Sequence, residues 1–347
     1  MTSLYTLFLV LLINIVRQPD TVQVIGTGRH PAVETDPAGG IHVVFGRGAV
    51  LYYTTSADGH IFSKPLVVDS LPGLHLGASR GPQIAATNRS VVITAIDKTG
   101  NVWSYTLDRP TGQWHRPVQV TDEPDKAKEG FVALTADPEN GYSAIWLDLR
   151  GNQQNKLMGA QSIDGGRTWS ANRLVYASPD GTICECCQPS IVRRGQSVAV
   201  LFRNFIAGSR DMYLLRSTDG GSSFGKAEKL GDGTWPLNAC PMDGGGLYMT
   251  PEGILSTVWR RADTLFSARP GQTERKLGPG KNAKIISTKK GDYIAFQRDG
   301  RVWIIVPGQP EARPVGEGGY PKLLRLANDR ILCLWERAGL VVSTVVG

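Results

Sequence analysis

The sequence predicts an all-β fold, a β-propeller of four-stranded blades, and three observations support this prediction. Gly and Pro are frequent, with 41 and 21 residues among 347, so many turns and no long helices are expected. Short apolar stretches of strand length alternate with these turns along most of the chain. A short motif also recurs at the end of one strand in three places, which is typical of a repeat architecture.

The recurring motif is Ser-x-Asp followed by glycine and an aromatic residue, the pattern known as the Asp box. Its copies begin at Ser162, Ser217 and Ser56, and the copy at Ser56 lacks a second glycine. Gly supplies the positive φ that a tight hairpin needs. The Asp and Ser side chains can bond to backbone groups of the turn. We therefore interpret the motif as a folding device and not as a catalytic site.

The strand pattern around the motif repeats as a unit. The first unit reads HPAVETDP, GIHVVFGR, AVLYYTTS and KPLVVD. The same order restarts near Pro82, Phe131, Pro189, Pro241, Ala283 and Pro321. This gives seven units of roughly 45 residues, the size of a four-stranded blade. Six blades are the alternative, because units five and six carry no motif and could be one.

The last unit has no fourth strand before the chain ends. The segment 21–25, at the other end of the chain, has the composition of a strand and can supply it. Closing the ring in this way would leave no exposed sheet edge.

The first 18 residues are predicted to be a signal peptide or an N-terminal anchor, and residues 19–347 the propeller. Leu4 to Val16 form an apolar run that is shorter than the ~20 residues needed to cross a bilayer and matches a secretory signal. No positive charge precedes it and no Ala-x-Ala site follows it, so an uncleaved anchor is the alternative. We expect a secreted or periplasmic monomer, with membrane attachment only if this segment is retained.

The chain carries a net charge of +7. Such a surface could attract nucleic acid, but no block of Lys and Arg with interleaved aromatic residues is present. We therefore expect no nucleic-acid partner. An acidic glycan or another anionic small molecule would suit the charge.

A propeller gathers its ligand residues on one face, where the loops that enter the innermost strands meet the loops that join the second and third strands. The predicted ligand-binding side chains of these loops are mostly arginines, which suit a carboxylate. They are Arg29, Arg150, Arg203, Arg210, Asp211, Trp259 and Arg260. The longest loops belong to blades three and four, so the pocket is expected to lean towards them.

These motifs and the blade order resemble the sialidase superfamily, also called BNR or Asp-box proteins. Arg29-His30-Pro31 stands where that family has an Arg-x-Pro motif. The resemblance implies that Arg29, Arg203 and either Arg260 or Arg261 hold a substrate carboxylate. It also implies that Tyr320 is the nucleophile of an exo-glycosidase that acts on an anionic glycan.

The sequence departs from this family at its carboxylates. The loop after the first blade's second strand has no acid/base Asp, and Cys186 and Cys187 stand where the activating Glu belongs. Glycoside hydrolysis needs a proton donor and a second group across the sugar. Glu185, Asp148 or Asp211 could substitute. The candidate catalytic residues are Tyr320, Asp148 and Glu185, and hydrolase activity stays an open question.

Four of the five cysteines precede two adjacent blades, Cys184, Cys186 and Cys187 before blade four and Cys240 before blade five. Because innermost strands converge on the propeller axis, these thiols are expected to lie close together. Three interpretations follow: a disulfide from Cys184 or Cys186 to Cys240, a Cu or Zn site, or a redox or nucleophilic thiol. The alternatives to a glycan-binding protein are thus a metal-binding propeller and a non-catalytic scaffold with structural disulfides. No cofactor other than Cu or Zn is expected.

Overall fold

The computed structural model describes residues 21–137 and 141–346, and these form seven four-stranded antiparallel blades in a ring. The innermost strand of each blade contacts those of both neighbouring blades, and the last contacts the first. The seven-bladed prediction is confirmed, and the six-bladed alternative is wrong. The predicted signal or anchor segment, residues 1–18, lies outside the described residues. In the described part, no helix is long and apolar enough to cross a membrane.

Each blade is a meander that runs outward from the axis, and the strands of the first four blades follow the predicted order. Strand β1 (Gln23–Thr27) precedes blade 1, which consists of β2 (Arg29–Thr35), β3 (Ile41–Arg47), β4 (Val50–Ser56) and β5 (Leu66–Ser70). Blade 2 consists of β6 (Gln83–Ala86), β7 (Ser90–Ile96), β8 (Val102–Asp108) and an outermost strand in two short segments, β9 (Gln113–Trp114) and β10 (Val118–Gln119), both of which pair with β8. Blade 3 consists of β11 (Val132–Ala136), β12 (Tyr142–Asp148), β13 (Lys156–Ser162) and β14 (Arg173–Tyr176). Blade 4 consists of β15 (Ser190–Arg194), β16 (Ser197–Arg203), β17 (Met212–Ser217) and β18 (Glu228–Lys229).

The remaining blades have the same layout. Blade 5 consists of β19 (Gly246–Met249), β20 (Leu255–Arg261), β21 (Thr264–Ala268) and β22 (Arg275–Pro279). Blade 6 consists of β23 (Lys281–Thr288), β24 (Gly291–Arg298), β25 (Arg301–Ile305) and β26 (Arg313–Glu317). Blade 7 consists of β27 (Gly319–Arg325), a 3-10 turn (Ala327–Asp329), β28 (Ile331–Arg337) and β29 (Leu340–Val346), with β1 as its outermost strand.

The N-terminal strand closes the ring as predicted, but two residues further along the chain. The prediction was 21–25, whereas β1 pairs antiparallel with β29 from Gln23, opposite Ser343, to Thr27, opposite Leu340. The pairing is interrupted at Ile25, whose side chain is buried between blades 7 and 1. Both ends of the chain thus complete one sheet.

The second strand of a blade is buried on both of its faces. All seven residues of β7 and all seven of β12 are buried, and β3 is buried except at its last residue. Neighbouring blades stack on each face of these strands, which favours continuous runs of β-branched and aromatic residues. The hydrophobic core is therefore a series of layers between blades, such as the layer that joins Val44 of blade 1 to Ile93 of blade 2.

The three Ser-x-Asp turns lie between the third and fourth strands of blades 1, 3 and 4. In the copy of blade 3, the Asp164 carboxylate accepts hydrogen bonds from the backbone N–H groups of Arg167 and Thr168, and the Ser162 hydroxyl accepts one from Gly166. Trp169 packs against the core layer between blades 2 and 3. These contacts agree with a role in folding.

The propeller has two different faces, which we name by their loops. The loop face carries the segments that enter the innermost strands and the segments that join the second and third strands. The turn face, opposite to it, carries the first-to-second strand turns and the Ser-x-Asp turns.

Candidate functional site

The cysteine-rich segment lies on the loop face, in the connection from blade 3 to blade 4. Its backbone is fixed to the end of β16, because Cys184 N donates to Arg203 O at 3.1 Å and Ile183 bridges to Asn204. The segment therefore runs between two blades as part of the packed structure. Its cysteine side chains point inward as a consequence.

The thiols of Cys184, Cys186 and Cys187 form one buried cluster. The Sγ atoms of Cys184 and Cys187 are 3.0 Å apart, and those of Cys184 and Cys186 are 3.7 Å apart. All three Sγ atoms lie within 4.8 Å of one another, and no residue of the three is more than 4% exposed. All are free thiols in the structure. We call these three residues the thiol cluster.

An arginine and a glutamate cover the thiol cluster. Arg210, from the loop between β16 and β17, donates to both carboxylate oxygens of Glu185 at 2.9 and 3.1 Å. Nη1 of the same guanidinium group lies 3.2 Å from Cys184 Sγ. The positive charge of Arg210 is thus shared between a carboxylate and a sulfur atom, both of which it can stabilise as anions.

The thiols of the cluster differ in the direction in which their pKa is shifted. Burial opposes the charge of Cys184, but its hydrogen bonds with Cys186 and Cys187 and the charge of Arg203 together hold the pKa of Cys184 well below its usual range. The pKa of Cys187 is raised, mainly by burial. A positively charged surrounding that favours one thiolate is typical of a reactive or metal-binding cysteine.

Cys240 reaches the edge of this group from the segment between blades 4 and 5. It is exposed, and its Sγ lies 3.6 Å from a carboxylate oxygen of Glu185. The predicted convergence of four cysteines therefore appears as three buried thiols with a fourth, exposed thiol beside their covering glutamate.

The predicted carboxylate-binding arginines Arg203 and Arg260 have other partners. Arg203 is 2% exposed and donates to the backbone carbonyl oxygens of Asp243, Arg210 and Arg260. Arg260 donates to Pro241 O at 2.7 Å and forms an ion pair with Asp243 at 3.0 Å. Both guanidinium groups also lie against the ring of Trp235. They join blades 4 and 5.

The other predicted charged residues are likewise paired. Arg29, half-exposed, forms an ion pair with Glu336 at 2.8 Å. Asp148 has no exposed side-chain surface and accepts from Arg150 Nε at 2.9 Å and from Trp146 Nε1 at 2.9 Å. Arg150 also pairs with Asp122. These groups lie on different blades and take separate partners.

Two further predicted ligand residues serve as structural residues. Trp259 is 2% exposed and stacks on Phe266 in the core of blade 5, because strand alternation turns it inward and Arg260 outward. Asp211 accepts a hydrogen bond from Trp235 N at 2.8 Å and so fixes the loop above blade 4. Neither side chain presents a free ligand-binding group.

Tyr320 lies at the propeller axis. Tyr320, His30 and Asn282 each sit at a β-bulge at the start of an innermost strand, with φ of 56°, 50° and 54°. Non-glycine residues seldom adopt this left-handed conformation, and such strain gathers at functional sites. The rings of Tyr320 and His30 are 4.9 Å apart. The bulges re-aim these side chains into a cavity at the axis.

This upper axial cavity is almost filled by its own lining. The space open to a water centre is about 20 Å³, enough for one or two ordered waters. Its lining includes His30, Gln188, Asp243, Asn282, Lys284, Tyr320 and Lys322, and it does not include Asp148 or Glu185. The three predicted catalytic residues thus do not line one cavity.

The sequence prediction missed Lys284 and Lys322, which line the axis. Each stands two residues after a left-handed residue, in Asn282-Ala-Lys284 and Tyr320-Pro-Lys322. The equivalent position of blade 1 is Ala32, two residues after His30. An alignment of the innermost strands by their entering residues could have found these lysines.

Comparison with known proteins finds no matching family model and no matching curated protein. Solved structures do match over nearly the whole chain. A Dyadobacter fermentans protein of unknown function is 16% identical, with 94% of this chain and 98% of that chain covered and a TM-score of 0.51. A Fusarium graminearum α-L-arabinofuranosidase is 14% identical, with 93% of each chain covered and a TM-score of 0.52.

A third matching structure is the Aleuria aurantia lectin in complex with Fucα1-6GlcNAc. It is 8% identical, with 86% of this chain and 98% of that chain covered and a TM-score of 0.52. At these identities the likeness concerns the fold. These solved structures agree with the β-propeller fold seen here.

Proposed function

We propose that the protein is an exported metal-binding propeller whose thiol cluster holds one Cu(I) ion. The observation that carries the proposal is the meeting of three buried sulfur atoms within 4.8 Å of one another. Sulfur ligands at close quarters favour soft metals, among which Cu(I) and Zn(II) are the common ones. Three small apolar side chains could fill this space equally well, so packing alone does not explain the three sulfur atoms.

The donor set fits Cu(I) better than Zn(II). Structural Zn(II) takes four ligands in a tetrahedron, whereas three thiols lie within 4.8 Å of one another, and Cys240, which contacts both Cys186 and Glu185, is exposed at their edge. Thiolates around a monovalent ion leave excess negative charge, which Arg210 at 3.2 Å from Cys184 Sγ is placed to offset. Cys184, Cys186 and Cys187 would hold the ion, and Cys240 would be an exchangeable outer thiol.

The metal interpretation also fits the predicted export of the chain. Free thiols in an oxidising compartment ordinarily become disulfides, and Cys184 and Cys187 are close enough to react. A bound soft metal would keep all three as thiolates, because metal binding requires the deprotonated form. The proposal therefore links export, predicted from residues 1–18, to an occupied cluster.

Anaerobic titration with Cu(I) against a chromophoric chelator tests the proposal. We expect one tightly bound Cu(I) per chain in the wild type and at least a 100-fold weaker affinity in Cys184→Ser, since a ligand is lost. Arg210→Met should weaken binding by about 10–100-fold, as changes beside metal ligands do.

The matched control is Cys333→Ala, a buried cysteine of blade 7 far from the cluster, which should bind Cu(I) like the wild type. Thermal unfolding of the metal-free proteins would confirm that each variant folds. Equal Cu(I) affinity in the wild type and Cys184→Ser would refute the proposal. So would a Cys184–Cys187 disulfide in freshly isolated protein that contains no copper.

Glycosidase activity, implied by the sequence resemblance, remains a prediction with weaker support. The cavity beside Tyr320 has about 20 Å³ open to water, and the carboxylate in its lining, Asp243, is paired with Arg260. We therefore expect the wild type to release no fluorophore from a fluorogenic sialoside. Turnover that disappears in Tyr320→Phe would reverse this ranking of the two functions.

A further inference from the structure

The propeller axis contains a second polar site, separate from the thiol cluster. Below the upper cavity, an axial channel opens on the turn face and offers about 420 Å³ to water. Gln83, Gln188, Lys284 and Lys322 line both the upper cavity and this channel. They form a waist between the two spaces, with one residue each from blades 2, 4, 6 and 7.

Two ammonium groups meet at the waist without a close counter-ion. Within residues 21–137 and 141–346, neither Lys284 nor Lys322 makes a hydrogen bond or a close ion pair. Asp243 is the buried carboxylate whose charge acts on Lys284, and it forms an ion pair with Arg260 at 3.0 Å. Burial and the charge of Lys284 lower the pKa of Lys322 to about 7. Buried charges are ordinarily paired, so two lysines without a paired carboxylate favour an anionic ligand at the waist.

A second, independent observation points to a ligand at the same level. His30 is 5% exposed and lines the upper cavity beside Lys322. Its Nε2 makes no hydrogen bond, and Glu336, the carboxylate on that side, is 3.7 Å away. A buried polar atom without a partner needs an explanation. A ligand atom at the waist would supply one.

The channel on the turn face has the size and charge to admit an anion. Arg194 and Arg325 line it together with the two lysines, and among its described lining residues the acid is Glu34. The adjoining space on the turn face also carries Asp36 and Asp137, which form ion pairs with Arg109 and Arg193. Burial raises the pKa of Glu34 to about 7, so it carries little negative charge in mildly acidic solution. The upper cavity, at about 20 Å³, is too small for entry from the loop face.

We propose that the axial channel binds a small oxyanion, a carboxylate or a sulfate or phosphate group, between Lys284 and Lys322, and that the anion enters from the turn face. This is the face opposite to the one on which the sequence predicted a ligand pocket. The oxyanion is either a free ion or the acidic group of a larger molecule such as a sugar acid, for which the channel has room.

The proposed site should bind anions more tightly as the pH falls. Lys322 is protonated below about pH 7 and loses its charge above it, while Glu34 gains negative charge over the same range. Both changes weaken anion binding as the pH rises. The other groups that face the site are Lys284, His30, Asp243, Arg194, Arg325, Tyr248 and Tyr320. Burial holds the pKa of His30 near 3, so it stays neutral throughout.

Calorimetric titration with sulfate, whose charge is constant from pH 6 to pH 8.5, tests the site at fixed ionic strength. We expect binding at pH 6 that weakens at least tenfold at pH 8.5. Lys322→Met and Lys284→Met should each weaken sulfate binding at least tenfold at pH 6. Lys290→Met, an exposed lysine of the turn between β23 and β24, is the matched control and should bind like the wild type.

A further variant and two further anions test the site in more detail. Glu34→Gln should reduce the pH dependence, since it removes one of the two titrating groups. Acetate and glucuronate distinguish a site for free ions from a site for sugar acids, according to which binds more tightly. Absence of sulfate binding, or equal binding in the wild type and both axial lysine variants, would overturn the proposal. Either variant suffices if the other fails to fold.

Discussion

Arg203→Met is expected to lower the free energy of unfolding by about 3–5 kcal/mol, because each buried carbonyl oxygen that loses its partner costs about 1–3 kcal/mol. Arg203 is 2% exposed and donates to three backbone carbonyl oxygens, on Asp243, Arg210 and Arg260. Methionine fills a similar volume but donates no hydrogen bond, so these buried carbonyls would lose a partner. Chemical denaturation with urea measures the change.

The matched control for Arg203→Met is Arg29→Met on the same face. Arg29 makes an ion pair with Glu336 while its side chain is 49% exposed, so its loss should cost less than about 1 kcal/mol. If Arg203 instead existed to hold a ligand carboxylate, its removal would leave the stability of the ligand-free protein unchanged. That outcome would contradict the structural role and favour the sialidase-like assignment.

Removal of residues 1–27 is expected to abolish the native fold. The truncation takes away β1, which pairs with β29 and buries Ile25 between blades 7 and 1. The exposed edge of β29 would become a template for pairing with other chains. The lost contacts amount to a large share of the ~5–15 kcal/mol that stabilises an ordinary domain. Size-exclusion chromatography and circular dichroism would detect oligomers and the loss of cooperative unfolding.

Removal of residues 1–20 alone is the control for this truncation, because it leaves β1 complete. The shorter truncation should remain a folded monomer when produced without export. A folded, cooperative monomer that lacks residues 1–27 would show that ring closure by the N-terminal strand is dispensable. Equal damage from both truncations would assign the effect to the leading segment and not to β1.

The fold was predictable because propeller blades repeat in sequence as well as in space. Turn residues and buried second strands recur at a constant spacing, so the seven blades could be counted without knowing their packing. The register of the closing strand was less predictable, and β1 lies two residues beyond the predicted segment. The alternation of apolar and polar residues in this segment does not indicate the pairing irregularity at Ile25. Blade 5 was also expected from Pro241, but its first strand begins at Gly246.

The delayed start of blade 5 has a steric reason. Gly244 lies so close to blade 4 that an added Cβ would be 2.2 Å from Gln188 O. The segment before Gly246 therefore follows the backbone of the neighbouring blade and cannot pair with β20. Only the packed structure reveals this close approach, because the glycines themselves indicate several kinds of turn or bulge.

The candidate site was partly predictable. Convergence of innermost strands predicted that Cys184, Cys186, Cys187 and Cys240 would lie close together, and the structure places the first three in one buried cluster with Cys240 exposed at its edge. The partners of the arginines could not be foreseen, because the backbone carbonyls that accept from Arg203 leave no trace in the sequence. Lys284 and Lys322 were missed for a related reason. Their direction depends on the bulges after Asn282 and Tyr320, which shift the strand register.

X-ray absorption at the copper edge of the wild-type protein, loaded with one equivalent of Cu(I) under anaerobic conditions, would identify the atoms that hold the metal. We predict a coordination shell of sulfur atoms alone, contributed by the thiol cluster, and loss of that signal in Cys184→Ser. A shell of nitrogen or oxygen atoms, or an unchanged sulfur signal in Cys184→Ser, would contradict it.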